Sequence, residues 1–313
     1  MTLSAVLSGL RIPVICAPMY MVSDPTLAIA CCRAGIAGSL PILNVPSSKA
    51  FEEWLQSVEE ARTDAKHSGK PFGPVAVNIP ARRPPLQDRY DSDLELLVRY
   101  EVPLVISMNG SPAEIVDVVH GYGGHVIHDV PSVELAHKAV DQGVDGLIAL
   151  SGGAGGHTGT QNPFALMPQI RQFFDGPVAL AGAIGDGRGI FAARALGADV
   201  AYMGTRFIAT QEAQVPLVYK QMLLDHGSTD IVTSDSFTGL RANFMRGSIE
   251  AAGLKVEELL PAPEVFVGTV PPEIKAWRDV WSAGHGVGLI DDIPSIDDLV
   301  SRLEKEYRLA STA

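Results

Sequence analysis

The stretch Ser151-Gly152-Gly153-Ala154-Gly155-Gly156-His157-Thr158-Gly159 sets one imidazole behind five consecutive glycines and alanines. Such a backbone lets a flat ligand or a phosphate approach closely. An imidazole titrating near neutrality can take a proton from carbon or give one back. The alternative is a flexible loop with an incidental surface histidine. Two further segments, Ala181-Gly182-Ala183-Ile184-Gly185-Asp186-Gly187-Arg188-Gly189 and Met203-Gly204-Thr205-Arg206, place small residues where helices would begin. Backbone N–H groups there suit phosphate, or the glycines serve tight helix–strand packing. Asn78, in Val77-Asn78-Ile79-Pro80, can donate and accept at the edge of a flat ring, or cap its strand. Ala17, Pro18 and Met19 could cover one face of such a ring, though Met19 also reads as core. Arg82 and Arg83 suit an anionic substrate tail or a solvated surface. His128-Asp129 could form a second polar patch. Cys16, Cys31 and Cys32 lack zinc spacing and no HExxH occurs, so no metal is expected.

These residues follow short apolar runs: Pro13–Ala17, Ala37–Leu43, Val75–Ile79, Leu104–Met108, Val126–His128, Gly146–Leu150, Val178–Ala181 and Val200–Met203. Their lack of strict alternation predicts strands buried on both faces of a parallel sheet. Helical patterns lie between. Asp24-Pro25 opens one that Gly35 stops; Ser111-Pro112-Ala113-Glu114 reads as a capping box; Ser132 opens Val133–Gln142; Asn162-Pro163 opens Phe164–Phe174; Gly187–Leu196 ends at Gly197. Strand–helix alternation carried eight times predicts an α/β fold, a closed (β/α)8 TIM barrel, with a doubly wound open sheet as runner-up. Barrel sites lie at the C-terminal strand ends, where the glycine-rich segments, Asn78, Ala17–Met19 and His128-Asp129 fall. The polar segment Leu86–Glu95 reads as a surface loop entering a helix. Beyond Ile208 the alternation stops. Val215–Asp225 and Ile296–Tyr307 read as helices, and the proline-rich Pro261–Pro272 as irregular. Residues 1–207 with about 281–313 are expected to form the barrel, and about 208–280 a helical capping segment over its mouth.

Apolar residues make up 46% of the 313, enough for a large core. Lys and Arg number 24 against 36 Asp and Glu, a net charge of −12. That balance argues against nucleic acid or an anionic membrane as partner. No apolar run is long enough to span a bilayer. Three cysteines, two adjacent, do not make a disulfide framework, so the expected setting is cytoplasmic.

Ala154–Gly159, Gly182–Arg188 and Met203–Ile208, with Trp281-Ser282-Ala283-Gly284 and Gly288-Leu289-Ile290, resemble the nitronate monooxygenase family, formerly called 2-nitropropane dioxygenases. The resemblance runs in order from about Pro13 to Leu299. It implies non-covalent FMN in a barrel with an inserted cap. His157 matches the catalytic base. Ala17, Pro18, Met19, Asn78, Gly155, Gly156, Gly182, Ala183, Gly204 and Thr205 match positions around the flavin and its phosphate. The implied reaction oxidises an alkyl nitronate with O2 to a carbonyl compound and nitrite, with a homodimer as candidate assembly. Related activities are NAD(P)H-dependent reduction of an enone, quinone or acyl thioester. A barrel binding a phosphate ligand without redox turnover is a further alternative. Leu150-Ser151, Asp129 and His285 depart from the family's usual cavity residues.

Overall fold

Local signals start most of the helices. In a computed structural model describing residues 2–83, 86–259 and 270–312, the side chains of Asp24, Ser132, Asn162, Asp186 and Ser295 each accept a first-turn backbone N–H. Ser111 does not behave as expected. The helix Ala113–Gly121 begins behind Pro112 without a side-chain cap, and the Ser111 hydroxyl donates to Gln142 Oε1 at 2.7 Å. A side chain in the turn after the helix Val133–Val140 takes that hydroxyl in place of the local cap. Leu86–Glu95 does lead into a helix, Tyr90–Arg99, and Leu86 itself is buried.

The apolar runs form parallel strands: β1 (Val14–Cys16), β2 (Gly38–Pro41), β3 (Val75–Pro80), β4 (Leu104–Met108), β5 (His125–Val130) and β6 (Gly146–Leu150). After a two-residue strand β7 (Gly156–His157) come β8 (Val178–Ala181) and β9 (Val200–Met203). The sheet order is β1-β9-β8-β6-β5-β4-β3-β2, every pair parallel. A bridge between Ile15 and Ala37 closes the ring, and the Cys16 N–H donates to the Ala37 carbonyl at 2.9 Å. This is the expected (β/α)8 barrel, not the open sheet.

Alternation along the strands separates two apolar layers. Ile15, Ile106, Ile127, Ile148 and Val200 fill the interior, while Val77, Val105, Val126 and Leu147 pack against the helices. An N-terminal helix, Leu3–Ser8, plugs the end opposite the site with Leu3 and Leu7. The helix Ile296–Ser311 packs on Gly187–Ala195 and Pro25–Arg33.

The segment after residue 208 contains the helix Leu217–Asp225 as expected, but it is not all helical. Strands β10 (Ile231–Ser234) and β11 (Ala242–Met245) form an antiparallel pair, and β11 also pairs with β7. Residues 261–269 of the proline-rich stretch lie outside the described residues. Among the described residues, no helix is long and apolar enough to cross a membrane.

Candidate active site

A cavity of about 670 Å³ opens at the C-terminal ends of the strands, within the usual size of small-molecule sites. Glycine-rich segments after β6, β8 and β9 wall one side. Ala17, Pro18 and Met19 after β1 wall another, with Asn78 at the end of β3.

His157 is not on a free loop. Its strand β7 is laced into the small sheet, with His157 opposite Ala242 and Gly156 opposite Asn243. The Asn243 amide donates to the Ala154 carbonyl at 2.7 Å. The Gly156 N–H donates to Ser282 Oγ at 2.9 Å, and that hydroxyl donates on to the Asn243 carbonyl. The ring packs edge-on against Trp277, centroids 5.3 Å apart. Its Nε2 is buried with no hydrogen-bond partner. Burial holds the imidazole below its ordinary range, so it is neutral at pH 7 with Nε2 free to accept a proton.

The C-terminal segment completes the rim. The Gly284 N–H donates to Thr205 Oγ1 at 2.9 Å, and the His285 N–H to the Gly153 carbonyl at 2.9 Å. A Cβ on Gly155 would stand 2.9 Å from the Gly284 nitrogen, so only glycine permits this approach. Gly182 and Ala183 both have positive φ, 129° and 56°, which turns the chain sharply at the end of β8. Thr205 keeps its hydroxyl hydrogen to donate, since its oxygen is the acceptor in the Gly284 bond.

All eleven residues singled out for catalysis and cofactor binding line the cavity. Of the other candidates, Asp129 alone does. Arg83 is bound to Asp91 and Glu114 on the surface, and Arg82 is exposed and off the wall. His128 faces away from the cavity and shares a 2.8 Å hydrogen bond with Ser107 Oγ; Asp129 alone of that pair lines it. The His285 ring is exposed. Ser151 is buried and donates to the Ala181 carbonyl at 2.7 Å. Asn78 donates to the Ile106 carbonyl at 3.1 Å.

Tyr202, Tyr219 and Trp277 also line the cavity without having been singled out. Tyr202 was findable, because two-residue alternation from the interior Val200 points it inward. Trp277 carries no local signal. Among the described residues the wall has no lysine, and its arginine, Arg206, is held by Asp292 at 2.7 Å. The site therefore offers one neutral imidazole, backbone donors and a half-buried carboxyl, in a largely apolar cleft.

The model of the nitronate monooxygenase family matches residues 47–306 of this chain. The chain belongs to that family. It is similar to a nitronate monooxygenase of Paraburkholderia phytofirmans, 27% identical over 96% of this chain and 94% of the relative. It is equally similar to the (3aS,4S,5R,7aS)-5-hydroxy-7a-methyl-1-oxo-octahydro-1H-indene-4-carboxyl-CoA dehydrogenase of Rhodococcus jostii, 28% identical over 94% of this chain and 92% of the relative. The crystal structure of nitroalkane oxidase from Streptomyces ansochromogenes superposes with a TM-score of 0.82 at 25% identity, covering 98% of this chain and 99% of the other. As a member of this family the protein is an oxidoreductase.

Proposed function

We propose that this family member is an FMN-dependent nitronate monooxygenase, converting an alkyl nitronate or its parent nitroalkane, with O2, into a carbonyl compound and nitrite. The observation that carries the reading is the buried, unpartnered Nε2 of His157 on the wall of a glycine-lined cavity. An orphaned acceptor in such a place calls for a ligand. The walls fit FMN. Gly182, Ala183, Gly204 and Thr205 would hold its phosphate through backbone N–H groups and the Thr205 hydroxyl. Ala17, Pro18 and Met19 would cover one ring face, Asn78 would meet the ring edge, and Gly155 and Gly156 would border the other face.

Bound FMN supplies electron transfer from substrate to O2. The protein supplies the rest. A neutral nitroalkane seated beside His157 loses its Cα proton to Nε2, which the low pKa of the imidazole keeps available. A pre-formed nitronate needs no such step. The edge of Trp277 limits ring rotation, and Trp277 with β11 would shield the proton transfer from bulk water.

The test is an absorbance spectrum of the purified protein before and after anaerobic addition of ethylnitronate, followed by kinetics of His157→Asn. The variant is expected to lose at least about a hundredfold on neutral nitroalkane while retaining most turnover on nitronate. Equal loss on both substrates overturns the base role. The similarity to a carboxyl-CoA dehydrogenase favours a second reading, an NAD(P)H-dependent flavin reductase of an acyl thioester. Rapid anaerobic bleaching by NADPH, with none by ethylnitronate, selects it.

A further inference from the structure

Asp129 is the cavity's other titratable group in an unusual state. It is the penultimate residue of β5, in register with the apolar Ile148 on β6, and Met108 on β4 and Leu150 on β6 line the cavity with it. Its remaining accessible surface opens into the cavity. Among the described residues it makes no ion pair and no side-chain hydrogen bond. The groups that face the same space offer it no charge. Tyr202 on β9 is a neutral phenol pushed far up by burial, with Cys16 of β1 close to it. Asn78 on β3 spends its amide on Ile106. His157 on β7 is neutral, and Arg206 is bound to Asp292. His128 lies on the opposite face of β5, bonded to Ser107.

An ionised carboxyl without a cation in such a place is unfavourable. Burial pushes Asp129 up to about 7, and nothing near it opposes the shift. The group therefore changes protonation with a small change in the charge of whatever fills the cavity.

Resting on the flavin reading above, we propose that Asp129 is a proton-exchanging residue linked to the redox state of the bound ring. Two-electron reduction would leave a bound ring that takes up one proton with one added negative charge. The added negative charge raises the cost of a second anion in the same cavity, so the Asp129 carboxylate binds one further proton from solvent. An O–H bond forms at its carboxyl oxygen and no other bond changes. Reoxidation of the ring would return that proton to solvent. Asp129 thereby keeps the cavity's net charge nearly constant through turnover, a task a residue serving only to pack the barrel would not perform.

The holoenzyme is titrated spectroelectrochemically from pH 6 to pH 9, and the pH dependence of the flavin midpoint potential gives protons bound per two electrons. The wild type is expected to bind a fraction of a proton more than Asp129→Asn over a window at or above pH 7. A purely structural role would move the potential by the same amount at every pH and leave the slopes parallel. Parallel slopes throughout the range overturn the proposal while leaving the flavin reading intact. Absence of flavin from the purified protein, and failure to bind added FMN, overturns both. If Asp129→Asn fails to fold or to hold flavin, the wild type decides by infrared spectroscopy. Reduction should raise a protonated-carboxyl band that shifts in D2O, and no such band at any pH overturns the proposal.

Discussion

The neutrality of His157 is a property of its surroundings. Burial lowers its pKa, so base-dependent turnover of a neutral nitroalkane should persist below the ordinary histidine range and fall only as the imidazole finally protonates. Trp277 supplies part of that burial from a left-handed backbone conformation, φ 65°, that a bulky residue rarely adopts. Trp277→Ala should admit water, raise the acidic limb of the pH–rate profile toward the ordinary value, and cost about tenfold in kcat/KM on neutral nitroalkane. An unmoved acidic limb would show that Trp277 does not set the pKa. Ala183 is held at φ 56°, where a Cβ costs about 1 kcal/mol. Ala183→Gly should therefore leave stability unchanged or raise it by up to about 1 kcal/mol, whereas the same change inside a helix would lower it by about that much. Urea denaturation reads the sign.

At the scale of one strand, β5 carries two adjacent groups with opposite pH linkage. Burial lowers His128 to about 4 and raises Asp129 to about 7. Between pH 4 and 6.5 the unfolded chain binds a proton at His128 that the folded chain refuses. Stability from that group is present above pH 6.5 and is lost as pH falls, by about 3 kcal/mol in all. Over nearly the same window the folded chain keeps the Asp129 proton that the unfolded chain releases. Its contribution is present in acid and is lost as pH rises toward 7, by about 4 kcal/mol. The two nearly cancel. In the flavin-free protein, Asp129→Asn should unmask stability that rises with pH, and His128→Gln stability that falls with it, each by about 1 kcal/mol per pH unit at the steepest. Denaturation midpoints between pH 4 and 7 measure both slopes. Two variants sloping the same way would refute the assignment.

The whole molecule depends on the C-terminal helix Ile296–Ser311 lying against Gly187. A Cβ there would fall 2.4 Å from the Tyr307 nitrogen and 2.5 Å from the Leu303 carbonyl oxygen, and the Gly187 N–H donates to Glu306 at 2.8 Å. Gly187→Ala should destabilise the fold by about 1–3 kcal/mol through displaced packing, read as a lower denaturation midpoint. Charge also acts at this scale. A net charge of −12 repels a nitronate anion at long range and leaves a neutral nitroalkane unaffected. Raising ionic strength from 10 to 150 mM should increase kcat/KM for the nitronate by roughly a few-fold and leave the nitroalkane value unchanged. Equal responses would show that local potential at the cavity mouth, not net charge, governs capture.

The sequence by itself determined the eight strands, most helix starts and the glycine-rich rim, because a buried parallel strand, an N-cap and a tight turn are each written in a few consecutive residues. Val178–Ala181 is apolar enough to declare itself, and Asp24 caps its helix three residues away. Tertiary structure decided what depends on residues far apart in the chain. Ser111 gave up a predicted cap for Gln142, 31 residues on. His157 became an ordered, desolvated imidazole only through β11 and Trp277. The raised pKa of Asp129 follows from burial at the end of a barrel strand, with no cation beside it. Desolvation is a sum over everything that surrounds a group, and no local stretch of residues contains that sum.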